Sequence, residues 1–251
     1  KVKFCGTGLF DLKETEMRKL RKEMQIIFQD PYSSVNPGRR IGHILQEPFE
    51  IHGSQNKKEN IEKATQLLEQ VGLDSDYFSR YPHELSGGQL QRVGIARAIA
   101  LNPKLIVADE PVSALDVSIQ AQVINLLLKL KEELEISYLF ISHDLGVVEY
   151  FCDRVAVMYL GKIVEIADNQ QIYNSPQHPY TLALLNAIPR LGFGRIKQKA
   201  TLKGDASVSA TLPNGCAFQN RCPIKEKQCE ETIPPLKEVA PGHHVACFLK
   251  Y

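Results

Sequence analysis

Apolar residues recur at helical spacing in several stretches of the chain, and each stretch predicts a helix. In 59–71 and at about 117–134, apolar side chains three and four positions apart form one continuous face. The segment 86–101 opens with Ser-Gly-Gly and stops before a proline, as helices commonly do. A shorter, charged helix is expected near Glu14–Lys22.

Short apolar runs between these helices predict strands. Leu105–Ala108 is apolar throughout, which is typical of a strand buried on both faces of a parallel sheet. Gln25–Gln29 and Tyr138–Ile141 predict two more strands, and Arg154–Tyr159 with Lys162–Ile166 predicts a hairpin or two short strands. The strand–helix–strand order in the middle of the chain implies an α/β fold with a right-handed crossover.

Glycine and proline mark the segments without a repeating pattern. Residues 31–58 are loop-rich, and the segment 190–215, rich in Gly, Lys and Ser, predicts a linker. Gly6-x-Gly8 lacks the third glycine of a dinucleotide-binding loop, so we expect a hairpin turn there.

Composition narrows the class of protein. The 251 residues, 43% of them hydrophobic, suit one large or two small globular domains. The formal net charge of +1 argues against a nucleic-acid binder that works through bulk charge. No run reaches the roughly 20 apolar residues of a membrane span, and no apolar signal region opens the sequence. We therefore expect a soluble or peripheral, cytoplasmic protein.

Leu85–Gln89 reads LSGGQ and has the chemistry of a phosphate-binding turn. Ser86 can cap the helix that follows, while Gly87 and Gly88 let backbone N–H groups approach an anion closely. The positive N-terminal end of the helix adds to the attraction. The sequence LQRVGIARAI after Gln89 makes a chance Ser-Gly turn a poor explanation.

Candidate catalytic side chains follow the predicted parallel strands. Asp109 and Glu110 come directly after Leu105–Ala108, at the carboxyl end where α/β proteins bind ligands. Asp109 is placed to hold Mg²⁺, and Glu110 to orient or deprotonate an attacking water. His143 follows the next strand and Gln29 ends an earlier one. Taken singly, each of these residues is also consistent with a polar side chain solvated at a strand end.

Four of the six cysteines cluster near the C-terminus, with spacing C-x5-C-x6-C-x17-C. They are Cys216, Cys222, Cys229 and Cys247. A reducing compartment favours thiolates on a metal or cluster over disulfides. The spacing is looser than that of common zinc sites, so four unliganded cysteines in a tail remain the alternative.

The motifs and their order resemble those of ABC transporter ATP-binding subunits. Gln29 matches the Q-loop, 85–89 the signature motif, 105–110 the Walker B strand, 113–116 the D-loop and His143 the switch histidine. IFQDPYSSVNP, MYLGKIVE and HPYT resemble the dipeptide/oligopeptide permease ATPases, and the resemblance covers essentially the whole chain. The implied fold is α/β, a P-loop-type nucleotide-binding domain with a RecA-like core and a helical subdomain, followed by a small Cys-rich extension.

This resemblance implies a role for each motif residue. Glu110 polarises the lytic water, His143 contacts the γ-phosphate of ATP, and Gln29 senses that phosphate and its Mg²⁺. Asp109 serves the metal. The remaining motif residues would contact a second ATPase subunit or the nucleotide that this subunit mainly holds. They are Ser86, Gly87, Gly88, Gln89 and Asp116.

The resemblance also divides the chain and implies its partners. Residues 1–30 hold the remainder of a β-rich part with the Q-loop, 31–102 the helical subdomain, 103–168 the RecA-like core and 169–251 the extension. We expect a peripheral, ATP-hydrolysing subunit at the cytoplasmic face of the membrane that drives import of dipeptides or oligopeptides. Its partners would be a second ATPase subunit, two transmembrane permeases and, indirectly, an extracytoplasmic peptide-binding protein; no nucleic acid is expected.

The sequence contains no G-x-x-x-x-G-K-[ST] loop, the motif of the family that binds the β/γ-phosphates of ATP. This predicts an N-terminally truncated subunit that hydrolyses little or no ATP alone. A degenerate, non-catalytic subunit is a less favoured explanation. A soluble ABC ATPase of translation or repair is a further alternative, disfavoured by the near-neutral charge and the permease-like stretches.

For the four-cysteine tail, the resemblance implies a [4Fe–4S] cluster, with zinc as the alternative. The Cys-Pro pair at 222–223 favours iron–sulfur, since ferredoxin-type sequences contain such a pair. His243 and His244 can replace a cysteine ligand, although solvent exposure is expected for both. Basic clusters at Arg18–Lys22 and Arg195–Lys203 are expected to be solvated faces rather than sites for anionic lipid.

Overall fold

The computed structural model describes residues 1–187 and 214–250, in two compact units. The first unit runs from Lys1 to His143 and the second from Asp144 to Tyr251. Most of the predicted linker, and the basic cluster over 195–203, lie outside the described residues. None of the described helices has the length and apolar character needed to cross a membrane.

A small antiparallel hairpin opens the first unit. Strands β1 (Lys3–Phe4) and β2 (Thr7–Gly8) pair with each other. Cys5 and Gly6 between them have φ values of 46° and 80°. Two successive positive φ values are typical of a tight hairpin turn, so the turn predicted at Gly6 is confirmed.

A three-stranded parallel sheet of the first unit brings the candidate catalytic residues to one edge. Its strands are β3 (Met24–Ile27), β4 (Leu105–Asp109) and β5 (Ser137–Ile141), in the order β3-β4-β5. Ile27 pairs with Ala108, which pairs with Phe140, so the strands end at nearly the same level. Because the strands run parallel, the residues that follow them meet at the same edge.

The helices of the first unit are α1 (Glu14–Leu20), α2 (Ile41–Ile51), α3 (Lys57–Gln70), α4 (Gly87–Ile99) and α5 (Val117–Glu133). Helices α1, α3, α4 and α5 begin and end within two residues of their predicted bounds. Each long helix buries one apolar face, as its spacing predicts. The fully buried side chains include Leu68, Leu90, Ile95, Ile99, Leu127 and Leu130.

Helix α2 contradicts the prediction that 31–58 is loop-rich. Ile41, Ile44, Leu45 and Phe49 recur at helical spacing and are buried. Pro48 lies inside the helix, where a proline removes one backbone hydrogen bond and costs about 3 kcal/mol. Four buried apolar side chains outweigh that cost, since each contributes about 1.5–3 kcal/mol.

The three-stranded sheet is not covered on both faces, contrary to the expectation for Leu105–Ala108. Ile106 and Ala108 are fully buried, whereas Val107 on the opposite face is half-buried. On the neighbouring strand β5, Leu139 is 54% exposed and Ile141 44% exposed. One apolar face of this sheet therefore remains accessible in the chain described.

The second unit is built around a four-stranded antiparallel sheet. Its elements are α6 (Leu145–Phe151), β6 (Arg154–Tyr159), β7 (Lys162–Asp168), α7 (Asn169–Asn174), α8 (Pro179–Asn186), α9 (Gln228–Glu231), β8 (Lys237–Ala240) and β9 (His243–Val245). Strands β6 and β7 form the predicted hairpin, and the sheet order is β6-β7-β9-β8. The hairpin thus shares one sheet with strands from near the C-terminus.

Candidate functional site

Three of the predicted catalytic side chains meet at the edge of the parallel sheet. Gln29 Nε2 donates a hydrogen bond of 2.9 Å to Glu110 Oε2. His143 Nδ1 lies 3.1 Å from Glu110 Oε1. This contact is a hydrogen bond to an ionised carboxylate when the His143 proton lies on Nδ1. The Glu110 side chain is 25% exposed and that of His143 72% exposed, so the group is open to solvent and to a ligand.

The backbone of Glu110 is held in an uncommon conformation. Its φ is 44°, in the left-handed region that costs a residue other than glycine about 1–3 kcal/mol. The Glu110 N–H donates to Ile141 O at 3.0 Å, and the Ser113 hydroxyl donates to Glu110 O at 3.1 Å. These bonds fix the turn after β4 and keep the carboxylate between Gln29 and His143.

The two aspartates of the motifs occupy the positions the sequence predicts. Asp109 is the last residue of β4 and pairs with Ile141 in the sheet register. Asp116 caps α5 by accepting from the Ser118 hydroxyl at 2.7 Å and from Ile119 N at 3.1 Å. These hydrogen bonds, that from Ser118 first, lower the pKa of Asp116.

The signature motif forms a capping box at the start of α4. Ser86 Oγ accepts from Gln89 N at 3.4 Å, and Gln89 Oε1 accepts from Ser86 N at 2.9 Å. The N–H groups of the first turn have no partner within the helix, so they form a surface suited to an anion. The predicted Ser86 cap is therefore confirmed, and phosphate binding at Gly87 and Gly88 stays a prediction.

Several residues that support the site were missed by sequence reasoning. The Tyr32 hydroxyl donates to Leu85 O at 3.1 Å and ties the loop after β3 to the signature motif. The Gln89 amide donates to the Tyr77 hydroxyl at 2.8 Å. Arg92, in the QR pair after LSGGQ, bonds to two other elements. That pair was a signal available in the sequence, and so was the stretch IFQDPYSSVNP that contains Tyr32, whereas nothing near Tyr77 marked it.

The four C-terminal cysteines line one small cavity of the second unit, together with His178 and Phe218. Cys216 N donates to Cys229 O at 2.8 Å, so two of the cysteines are joined through the backbone. Burial raises the pKa of the Cys216 and Cys222 thiols, and nearby cysteines add to the rise. Burial lowers the pKa of His178 to about 4.

The arrangement of these thiols falls short of a formed metal centre. In the part of the chain that the structure describes, no three His, Cys, Asp or Glu side chains are arranged to hold a metal ion. The cavity of about 10 Å³ has room for roughly one water molecule. The donor chemistry suits a metal, but a cluster would require the cysteine-bearing loops to move apart.

The expectation that both neighbouring histidines are solvent-exposed is wrong for His243. This residue is 3% exposed, and its Nε2 lies 2.7 Å from Glu165 Oε1. Glu165 also accepts from Gln177 N at 2.7 Å and from His178 N at 2.9 Å. His243 is therefore engaged in a buried hydrogen-bond network, and His244 is half-buried.

The basic cluster Arg18–Lys22 binds the end of a helix. Arg18 Nη2 donates to Ile51 O at 2.9 Å, and Lys22 Nζ lies 3.5 Å from His52 O. Cations at a helix C-terminus interact favourably with its dipole. These contacts give the cluster a structural role at the end of α2.

Two family profiles match the chain. The family described as "ABC transporter" matches residues 4–113, and the one described as "Oligopeptide/dipeptide transporter, C-terminal region" matches residues 164–229. The "Oligopeptide transport ATP-binding protein AppF" of Bacillus subtilis is 51% identical over 99% of this chain and 76% of its own length. The chain belongs to the oligopeptide/dipeptide group of ABC transporter ATP-binding proteins.

Further relatives agree with this family. A "Putative peptide import ATP-binding protein" of Brucella ovis is 53% identical to this ABC protein over 98% of the chain and 78% of the relative. The "Dipeptide transport ATP-binding protein DppF" of Haemophilus influenzae is 48% identical over 94% of the chain and 72% of the relative. These relatives are named as transport proteins, so they lend no support to a role in translation or repair.

Solved structures confirm an ABC ATPase fold. The dimeric, post-hydrolysis structure of the ATP-binding cassette MJ0796 with ADP and phosphate matches with a TM-score of 0.59 and 30% identity, covering 66% of this chain and 72% of that one. The cbiO1 protein of Clostridium perfringens, part of an ABC transporter complex, matches with a TM-score of 0.62 at 24% identity, over 72% and 70% of the chains. The predicted α/β nucleotide-binding fold is confirmed.

Proposed function

We propose that this chain is the ATP-hydrolysing subunit that powers peptide import through an ABC transporter. The observation that carries the proposal is the Glu110 carboxylate, held between Gln29 and His143 at the end of β4. We infer the transported substrates, dipeptides or oligopeptides, from the names of the relatives. The substrate itself would pass through other subunits.

Glu110 is the proposed base that orients and deprotonates the attacking water. Its two oxygens already accept hydrogen bonds, yet the side chain remains partly open, so a water can approach the carboxylate. His143 is the proposed contact to the γ-phosphate, since its Nδ1 is committed to Glu110 and its Nε2 is on the opposite edge of the ring. Positioning and charge, rather than covalent chemistry, carry phosphoryl transfer.

Asp109 and Gln29 are the proposed residues that hold Mg²⁺ with ATP. A carboxylate and an amide oxygen are ligands that this ion accepts. Gln29 donates its Nε2 to Glu110, which leaves Oε1 as the amide atom available to a metal. When bound, the ion neutralises charge that develops on the phosphates.

The signature motif would act on a nucleotide held mainly by a second ATPase subunit. Ser86, Gly87 and Gly88 present a hydroxyl and first-turn N–H groups at the positive end of α4. Asp116 would contact the partner subunit. We propose residues 31–102 as the helical subdomain that docks on two transmembrane permeases, which places the chain peripherally at the cytoplasmic face of the membrane.

A transport assay tests this function. The assembled transporter in vesicles, with its peptide-binding protein, should couple ATP hydrolysis to peptide uptake only when this subunit is present. The matched control is the same assembly made with Lys129→Ala, which removes an exposed ion pair and should behave as wild type. Uptake that continues without this subunit would refute the proposal, as would hydrolysis that peptide does not stimulate.

We further propose that the four C-terminal cysteines hold a [4Fe–4S] cluster, with zinc as the alternative. The cavity that all four cysteines line supports the proposal, because one metal ion or cluster can take four thiolate ligands. The bound group would pin the segments that carry the cysteines to one another, a structural role.

Metal analysis of protein purified without oxygen tests the cysteine site. We expect iron and sulfide with a broad absorbance near about 400 nm from thiolate-ligated iron. Cys222→Ser should lose the metal, whereas Cys5→Ser, at an exposed cysteine outside the cavity, should keep it. A colourless protein with stoichiometric zinc would assign zinc instead, and metal-free protein with six titratable thiols would refute the site.

A further inference from the structure

Helices α4 and α5 are joined by a seam of two contacts, one helical turn apart. At the first contact, a Cβ added to Gly88 would lie 2.5 Å from Ile119 Cγ2, so only glycine lets the two helices approach this closely. At the second, Arg92 Nη2 donates to Gln122 Oε1 at 3.2 Å. We call these four residues the α4–α5 seam.

The other arm of the Arg92 side chain reaches the end of α3. Arg92 Nη1 donates to Val71 O at 2.7 Å, at the C-terminal end of that helix, where a cation is favoured. Gly72 follows with a φ of 72°, and a Cβ there would lie 2.9 Å from Arg92 Nη1. The glycine therefore both makes the turn and leaves room for the guanidinium.

Both helices of the seam begin in a motif that faces the partner subunit in the proposed function. Helix α4 begins directly after Ser86 of the signature motif, and α5 is capped by Asp116 of the D-loop. The seam lies within two turns of both caps. The two helix starts are therefore linked directly through side chains, in addition to the intervening chain.

We propose that Arg92 is a positioning residue that holds the signature motif and the Asp116 turn as one body through Gln122. The proposal rests on the proposed function, because it assigns the two motifs to the same composite ATP site. Arginine suits this role since its planar fork donates in two directions at once, whereas a lysine offers one compact ammonium. Both motifs must be aligned with the nucleotide only when the two ATPase subunits are closed for hydrolysis. The seam therefore affects turnover rather than nucleotide binding.

The test is a mutant cycle in the assembled transporter. Gln122→Ala and Arg92→Lys should each lower kcat for ATP hydrolysis roughly five- to tenfold, with KM for ATP unchanged. The double variant should be no slower than the slower single variant, because both changes break the same link. Gln122→Glu keeps an acceptor for Arg92 and should restore wild-type kcat. The control Lys129→Ala lies on the same helix, away from the seam.

A second measurement does not depend on turnover. Amide hydrogen exchange of the isolated chain should rise together in the first turns of α4 and α5 for Gln122→Ala, and not for Lys129→Ala. Additive single effects, a change in KM, or faster exchange confined to α5 would overturn the proposal. Absence of hydrolysis in the wild-type transporter would refute the proposed function instead, while the exchange result would still decide the seam.

Discussion

Replacing Glu110 by glutamine is expected to slow ATP hydrolysis by the assembled transporter roughly a hundredfold to ten-thousandfold. Glutamine has nearly the same shape and can still accept from Gln29 Nε2 through its carbonyl oxygen. Glutamine cannot take a proton from water. The variant therefore removes the basicity of Glu110 while it keeps the position of the side chain. Binding of ATP should persist, because Glu110 contributes to the chemical step.

Phosphate release by the assembled transporter measures this effect, and binding of a fluorescent ATP analogue checks that the nucleotide site is intact. Glu133→Gln is the matched control, since the Glu133 side chain on α5 is exposed and forms an exposed ion pair with Lys129. It should retain full activity. If Glu110→Gln hydrolyses ATP within a few-fold of wild type, another group activates the water.

Replacing Glu165 by alanine should destabilise the second unit by about 3–5 kcal/mol, as expected when a buried charge network loses one partner. Glu165 is fully buried, and its carboxylate accepts from two backbone N–H groups and faces His243 Nε2. Alanine would remove the acceptor of all three groups, two of which are buried, and would add a cavity in the sheet.

Denaturant unfolding followed by tyrosine fluorescence measures the loss, because the chain contains no Trp and Tyr159, Tyr173 and Tyr180 lie in the second unit. Glu226→Ala, at an exposed glutamate of the same unit, is the control and should change stability by less than about 0.5 kcal/mol. Equal unfolding midpoints for the two variants would show that the Glu165 network contributes no net stability.

The elements that the sequence predicts well are those whose signals are local. The seam helices α4 and α5 have a polar cap, a repeating apolar face and a nearby stop, and all three lie within one segment. The cluster of Gln29, Glu110 and His143 is also predictable, because each residue follows a parallel strand and such strands end at a common edge. Their chemical roles remain predictions.

The features that sequence reasoning missed depend on distant partners. Glu165 lies in a hairpin strand whose sequence gives no sign that a glutamate is buried there, and its partner His243 is 78 positions away. For the segment 31–58, Pro48 and Gly53 favoured a loop prediction over the apolar pattern of α2. The burial of that apolar face depends on other helices of the unit. The exposed face of the parallel sheet was likewise not predicted, since a continuous apolar run predicts a buried strand but does not identify the element that covers it.

The pairing of β7 with β9 constrains how the second unit can be made during synthesis. Strand β7 is finished at Asp168, yet the strand beside it begins only at His243. Glu165 therefore leaves the ribosome long before His243 has been synthesised, and its carboxyl group is hydrated until then. Pairing over so long a separation is intrinsically slow. Completion of this sheet therefore requires translation through Val245, which makes it a late event in the folding of the second unit.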